Sequence, residues 1–227
     1  HSYSSAASDV YKRQHLGMSG TLHFIGLKKK TTNLSFYGSQ SLPKKHNHII
    51  FRFKNFKLIY NDPRRFGFFK ILKNKKDYLK FFTRIGPEAI SKDFNKKYLN
   101  QILKNRTKNI KNLLLDQKLV SGLGNIYVNE ILFQAKINPF KKSYLINLDE
   151  NKRIVKYSKI ILKKAIDFGG SSIRDFKGIT GKSGNFQSEF KVYDRTKKRC
   201  SRNNCSGQIS RKIISNRSTF ICSVCQK

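Results

Sequence analysis

Residues 116–139 read DQKLVSGLGNIYVNEILFQAKINP, and this stretch decides the fold of the second half of the chain. Leu113, Leu114 and Leu115 bring an apolar run up to Asp116. Gly122 and Gly124 then break the helical pattern, because glycine reaches positive φ at little cost and lets another backbone come close. Asn125 is of the residue type that N-caps a new helix. In that helix Val128, Ile131, Leu132 and Ala135 fall at i, i+3, i+4 and i+7, which predicts one buried stripe. Asn138-Pro139 stops it. A glycine turn opening into a helix N-terminus presents free N–H groups and the positive end of the helix dipole, which suits a phosphate. The same residues also fit a plain helical hairpin inside a core.

Charge narrows the partner. Lys and Arg number 48 against 13 Asp and Glu, a formal net charge of +35. An AT-rich coding sequence would raise lysine, but glutamate codons are equally AT-rich and only four glutamates are present. A polyanionic partner is the better account. Hydrophobic residues make up 38% of the chain and occur in short runs, none approaching membrane-spanning length. Nucleic acid is therefore expected rather than a membrane surface. No secretory signal is visible, and the cytoplasm is the expected compartment.

The chain reads as α+β. Residues 1–14, HSYSSAASDVYKRQ, are small, polar and without pattern; they are expected to be a non-native linker outside the fold, a native tail being the alternative. Residues 15–92 carry the β texture. Phe51 and Phe53, then Phe56, Leu58 and Tyr60, alternate with polar residues on either side of Lys54-Asn55, which predicts a strand, a short turn and a returning strand. Further strands are expected at 21–27 and 66–72, and a short helix at 73–80. Residues 93–190 turn helical, with helices at 93–104 and from Asn147, where Glu150 stands at capping-box spacing. Ile154, Tyr157, Ile161 and Ala165 form its apolar face, and Gly169-Gly170 ends it. A Gly- and Ser-rich loop at 178–186 leads to a strand at 190–193.

Residues 191–227 hold all four cysteines: Cys200 and Cys205, then Cys222 and Cys225. Paired thiolates at such spacing let each pair chelate one tetrahedral zinc. The segments between them predict a hairpin turning at Ser215-Asn216. So small a unit has little core, and zinc would supply its folding free energy. Two disulfides or free thiols are the alternative.

Four segments carry a resemblance: HLGMSG at 15–20, NDPRRFG at 61–67, LLLDQKLVSGLGNIYVNEILF at 113–133 and RSTFICSVCQK at 217–227. Together they resemble the formamidopyrimidine-DNA glycosylases, bacterial base-excision enzymes for oxidised purines. The resemblance implies a remnant of an N-terminal β-sandwich, a helix-two-turn-helix domain and a C-terminal β-hairpin zinc finger with one structural zinc. It implies a monomer acting on double-stranded DNA that contains oxidised bases or abasic sites, at the bacterial nucleoid. In this family the lesion nucleotide is flipped out and side chains fill the gap. By resemblance Met18, Arg64 and Phe66 take that intercalating role. Contacts to DNA fall to His46, Arg64, Arg65, Arg106, Lys111 and Asn125. Arg217, beside the hairpin turn, has a strand-processing catalytic role, and the 178–186 loop closes over the flipped base.

One departure stands out. The family's chemistry starts at an N-terminal Pro-Glu pair, the proline amine attacking the sugar and the glutamate doing acid–base work, with a lysine assisting. No Pro-Glu precedes HLGMSG here, and the chain as written is expected to lack glycosylase chemistry. A damaged-DNA-binding protein that does not cut, or a glycosylase for oxidised pyrimidines, are the competing readings.

Overall fold

A computed structural model describes residues 11–17, 19–26, 31–33, 44–72, 74–171 and 184–227. Met18 and residues 178–183 lie outside the described residues. The chain forms two compact units: residues 1–82 with 168–187, and residues 83–167 with 188–227.

The first unit is antiparallel β-structure. Strands β2 (Thr21–Gly26), β3 (Thr31–Asn33), β4 (Asn47–Arg52) and β5 (Phe56–Asn61) form a sheet in the order β3-β2-β5-β4. The expected turn at Lys54-Asn55 joins β4 to β5, with Arg52 opposite Lys57 and Phe53 N donating to Phe56 O at 2.9 Å. A second sheet pairs β1 (Tyr11–His15) with β6 (Phe68–Leu72), His15 opposite Phe68 and Tyr11 opposite Leu72. The expectation that residues 1–14 stay outside the fold is thus corrected for Tyr11 to Gln14. Pairing here is a backbone matter, and a polar strand can satisfy a neighbour's N–H and C=O groups without any apolar pattern. The two sheets meet through Phe69, whose ring lies 4.9 Å from Tyr60, edge-on, and 5.7 Å from Phe51. Helix α1 (Lys75–Phe82) follows β6.

The second unit is built on helices α2 (Lys96–Leu103), α3 (Ile110–Leu115), α4 (Asn125–Gln134) and α5 (Leu148–Asp167). Asparagines start three of them. Asn95 Oδ1 accepts from Tyr98 N, Asn109 Oδ1 from Asn112 N, and Asn147 Oδ1 from Glu150 N. The capping box at α5 is closed by Asn147 N donating to Glu150 Oε2 at 2.9 Å. Gly169 and Gly170 follow α5 with φ of 71° and 86°, the left-handed stop expected there.

Helix α4 departs from expectation in two ways. Its N-cap is Gly124, and Asn125 is already its first residue. All of Val128, Ile131, Leu132 and Ala135 are buried, but so are Asn129, Glu130 and Phe133. A stripe would suffice for a surface helix; α4 is central and covered on every side. Its neighbours include a hairpin of β7 (Ile209–Ile214) and β8 (Arg217–Cys222), turned by Ser215 and Asn216 at φ of 47° and 58°. Phe133 of α4 joins Val192, Cys200, Ile209, Phe220 and Cys222 in one cluster. The cysteine-bearing segment therefore shares a core with the helices instead of standing alone. Residues 190–193 are irregular rather than a strand, because Glu130 takes up their N–H groups.

Candidate functional site

In the first unit the site is a turn. Asp62 follows β5, is fully buried, and gathers four donors onto its carboxylate: Ser19 Oγ at 2.5 Å, Tyr60 OH at 2.8 Å, Gly67 N at 2.9 Å and Arg64 N at 3.3 Å. These bonds fold residues 62–67 back on themselves. Position 67 must be glycine, since a Cβ there would stand 1.8 Å from the Tyr60 hydroxyl and 2.6 Å from His15 O. The turn pushes its intervening side chains outward. Phe66 is 55% exposed, and the Arg64 guanidinium lies over its ring at 4.6 Å. Arg65 is exposed at φ 54°. Asp62 N donates to His46 O at 2.9 Å, and His48 Nε2 lies 2.8 Å from Asp62 O. The structure thus brings His46, Arg64, Arg65 and Phe66 together, beside a cavity of about 320 Å³ lined by His48, Tyr60, Asp62, Arg65 and Phe68.

Asp62, Ser19 and Tyr60 were not singled out from the sequence. An Asp-Pro at a strand end does signal a turn, but its partner Ser19 is 43 residues away. Burial pushes the Asp62 carboxyl up, yet the bonds from Ser19, Gly67, Tyr60 and Arg64 outweigh it and hold it below the ordinary 3.8. A depressed folded pKa means this stabilisation is fully present above the ordinary value and is lost as pH falls through the folded one. Asp62→Asn should therefore lower the unfolding midpoint at neutral pH and flatten its decline in acid. A mutant curve parallel to wild type down to the acid limb would refute this.

In the second unit the hairpin is tied to the starts of α3 and α4. Lys111 is wholly buried, its ammonium donating to Thr219 Oγ1 at 2.7 Å and Ser218 O at 2.9 Å. Burial first, and the charge of Arg217 second, pull its pKa down to about 8. Lys111, expected among the phosphate contacts, directs its ammonium at the hairpin. Asn125 Nδ2 also donates to Ser218 O, at 3.1 Å, while Asn129 Oδ1 accepts from Phe220 N at 2.8 Å. Arg217, next to Ser218, is exposed at the start of β8. Arg106 is exposed on the loop before α3, its carbonyl accepting from Tyr144 N. Thr219, Asn129 and Glu130 are the residues that sequence reading missed.

The four cysteines converge. Their sulfurs all lie within 4.8 Å of one another, with Cys205–Cys222 at 3.6 Å and Cys200–Cys225 at 3.8 Å. A tetrahedral site with bonds of about 2.3 Å has sulfur–sulfur edges of about 3.8 Å. A disulfide needs about 2.05 Å, so these are free thiols arranged as a ligand set. Burial and then the neighbouring sulfurs push the Cys225 thiol up to about 12. The long first knuckle carries Arg202, which bonds Phe133 O and Gln134 O at the end of α4 and stacks over the Phe133 ring at 4.7 Å. The cluster can hold a metal ion.

Comparison with known proteins assigns both units. The family profile described as "Formamidopyrimidine-DNA glycosylase N-terminal domain" matches residues 7–69, and "Formamidopyrimidine-DNA glycosylase H2TH domain" matches residues 85–177. The formamidopyrimidine-DNA glycosylase of Roseobacter denitrificans is 41% identical, over 94% of this chain and 75% of that protein. This chain belongs to the formamidopyrimidine-DNA glycosylase family. The family enzyme of Azorhizobium caulinodans is 36% identical over the same shares. Among solved structures, formamidopyrimidine-DNA glycosylase (Fpg) of Lactococcus lactis, as a point mutant in a complex with DNA containing Fapy-dG, matches with a TM-score of 0.79 and 34% identity, over 96% of this chain and 75% of that one. Its complex with DNA containing an abasic site matches at 0.78 and 35%, over the same shares. Among the described residues of this glycosylase-family chain, no helix is long and apolar enough to cross a membrane.

Proposed function

We propose that this family member binds duplex DNA carrying an oxidised purine, such as 8-oxoguanine or a formamidopyrimidine, and holds the lesion out of the base stack for base-excision repair. What supports this most is the Asp62-held turn. Flipping a base costs a few kcal/mol of stacking, and an exposed aromatic ring carrying a guanidinium on its face is suited to fill the gap and meet the orphaned base. Arg64 and Phe66 are the proposed wedge, with Met18 as the third member by resemblance. His46, Arg65, Arg106 and Asn125 are proposed as DNA contacts and Arg217 as the strand-processing residue. The ion of the cysteine cluster is proposed to be one structural zinc, and the setting the bacterial nucleoid. In the glycosylase and lyase reaction of the family, these residues bind and orient the lesion strand.

The test is binding of the chain to matched duplexes with and without 8-oxoguanine, read by fluorescence anisotropy across a salt series. The lesion duplex should bind more tightly, and both affinities should fall steeply with salt as phosphate contacts are lost. Phe66→Ala should remove most of the lesion preference while leaving undamaged duplex binding near its original value. Equal affinity for both duplexes would overturn the reading.

A further inference from the structure

The tip of the β4–β5 hairpin carries a feature that the lesion-reading turn does not use. Phe53 and Phe56 flank the two-residue turn, and their rings stack at 4.3 Å with an interplanar angle of 15°. Phe56 stacks in turn on Phe24 of β2, at 4.6 Å and 29°. The result is a column of three rings, one strand apart, with Phe56 in the middle and Phe53 at the outer end. Phe53 is 49% exposed. A hydrophobic ring left half in water beside two half-buried rings gains nothing from its own fold on that side.

Charge flanks it along the chain. Arg52, Lys54 and Lys57 at the tip are all exposed. Between Val10 and Asn61 the sequence has ten Lys and Arg and not one Asp or Glu. The next acid along the chain, Asp62, follows the other end of β5, six residues from Phe56 and about 20 Å from the tip along an extended strand. That same end carries the Arg64–Phe66 turn, so the ring column and the turn are at opposite ends of one strand.

We infer that the Phe24–Phe56–Phe53 column with Arg52, Lys54 and Lys57 is a second nucleic-acid site, taking unpaired bases of single-stranded DNA. Near-parallel rings at a strand end extend naturally by one more flat ring, and every base has a π-face to offer. Phosphates on either side of the stacked base meet the lysines and arginine. An acidic peptide would satisfy the charges but would leave the ring face uncovered. The site is independent of the lesion-reading turn and goes beyond it.

The chain has no tryptophan, which makes a direct test available. Phe53→Trp keeps a stacking ring and places a single reporter in the chain. A short oligodeoxythymidine should quench its emission saturably and with one-to-one stoichiometry. Phe53→Leu keeps the apolar side chain and loses the ring. It should weaken oligodeoxythymidine binding about tenfold, the scale of one lost base stack, with lesion-duplex affinity unchanged. No quenching, an unaltered affinity in Phe53→Leu, or equal quenching by polyglutamate would overturn the proposal. Quenching by dilution-sensitive self-association, with no oligonucleotide present, would overturn it in favour of a second copy. Failure of lesion-duplex binding alone would sink the proposed repair function and leave this site standing.

Discussion

Removing the zinc proposed for the Cys200, Cys205, Cys222 and Cys225 cluster is expected to unfold the β7–β8 hairpin and abolish duplex binding. Four sulfurs packed within 4.8 Å stabilise a fold when they bind a dication as thiolates and add nothing comparable without one. Structural zinc in isolated finger peptides contributes about 10–16 kcal/mol at neutral pH. The effect here should be smaller, because Ile209, Phe220 and Cys222 also pack against Phe133 and Val192. It should still dominate any single side-chain change. Arg217 starts β8, and Lys111 and Asn125 both bond Ser218 beside it, so loss of the hairpin removes the placement of all three. Hydrogen exchange of the amides from residue 209 to 222, with and without chelator, is the measurement. Protection should vanish with the chelator and return with added zinc. Protection that survives complete metal removal would show that the shared apolar core suffices.

Glu130→Ala is expected to cost about 3 kcal/mol or more of stability, because three backbone N–H groups lose their acceptor at once. Glu130 is 3% exposed on the central helix. Its Oε1 accepts from Lys191 N at 3.1 Å, Val192 N at 3.0 Å and Tyr193 N at 2.8 Å, and Oε2 accepts from Lys191 N at 3.0 Å. Burial pushes this carboxyl up, and the backbone bonds pull against that shift without reversing it. Glu130→Gln keeps one carbonyl oxygen for the three donors that share Oε1, so it should lose less than half as much. Denaturant midpoints at constant slope give both numbers. Equal losses in the two variants would mean that charge, not the number of acceptor bonds, sets the stability.

Much of the architecture is legible in one dimension. The strand–turn–strand at Lys54-Asn55, the capping box from Asn147 to Glu150, and the turn at Ser215-Asn216 each rest on residues within a few positions of one another, and each forms as read. The cysteine pairs announce a ligand set because a chelating knuckle is also local. Reading failed where the deciding partner is distant. Residues 11–14 have no pattern, yet they pair with β6 because strand pairing asks only for backbone groups in register. Residues 190–193 alternate like a strand, but Glu130, sixty or more positions earlier, draws their N–H groups to itself.

Sequence alone determined the polyanionic partner and the order of β, helical and cysteine-bearing segments. Each follows from composition, from periods of two or 3.6 residues, or from short spacings, all of which act locally. Tertiary structure decided which polar side chains are spent inside. A lysine in a run of basic residues looks the same whether it meets a phosphate or, like Lys111, reaches Thr219 across 108 positions. An aspartate before a proline looks like any turn former until Ser19, Tyr60, Arg64 and Gly67 all turn their donors onto it. Buried polar groups must find partners wherever the fold supplies them, and that choice is made in three dimensions.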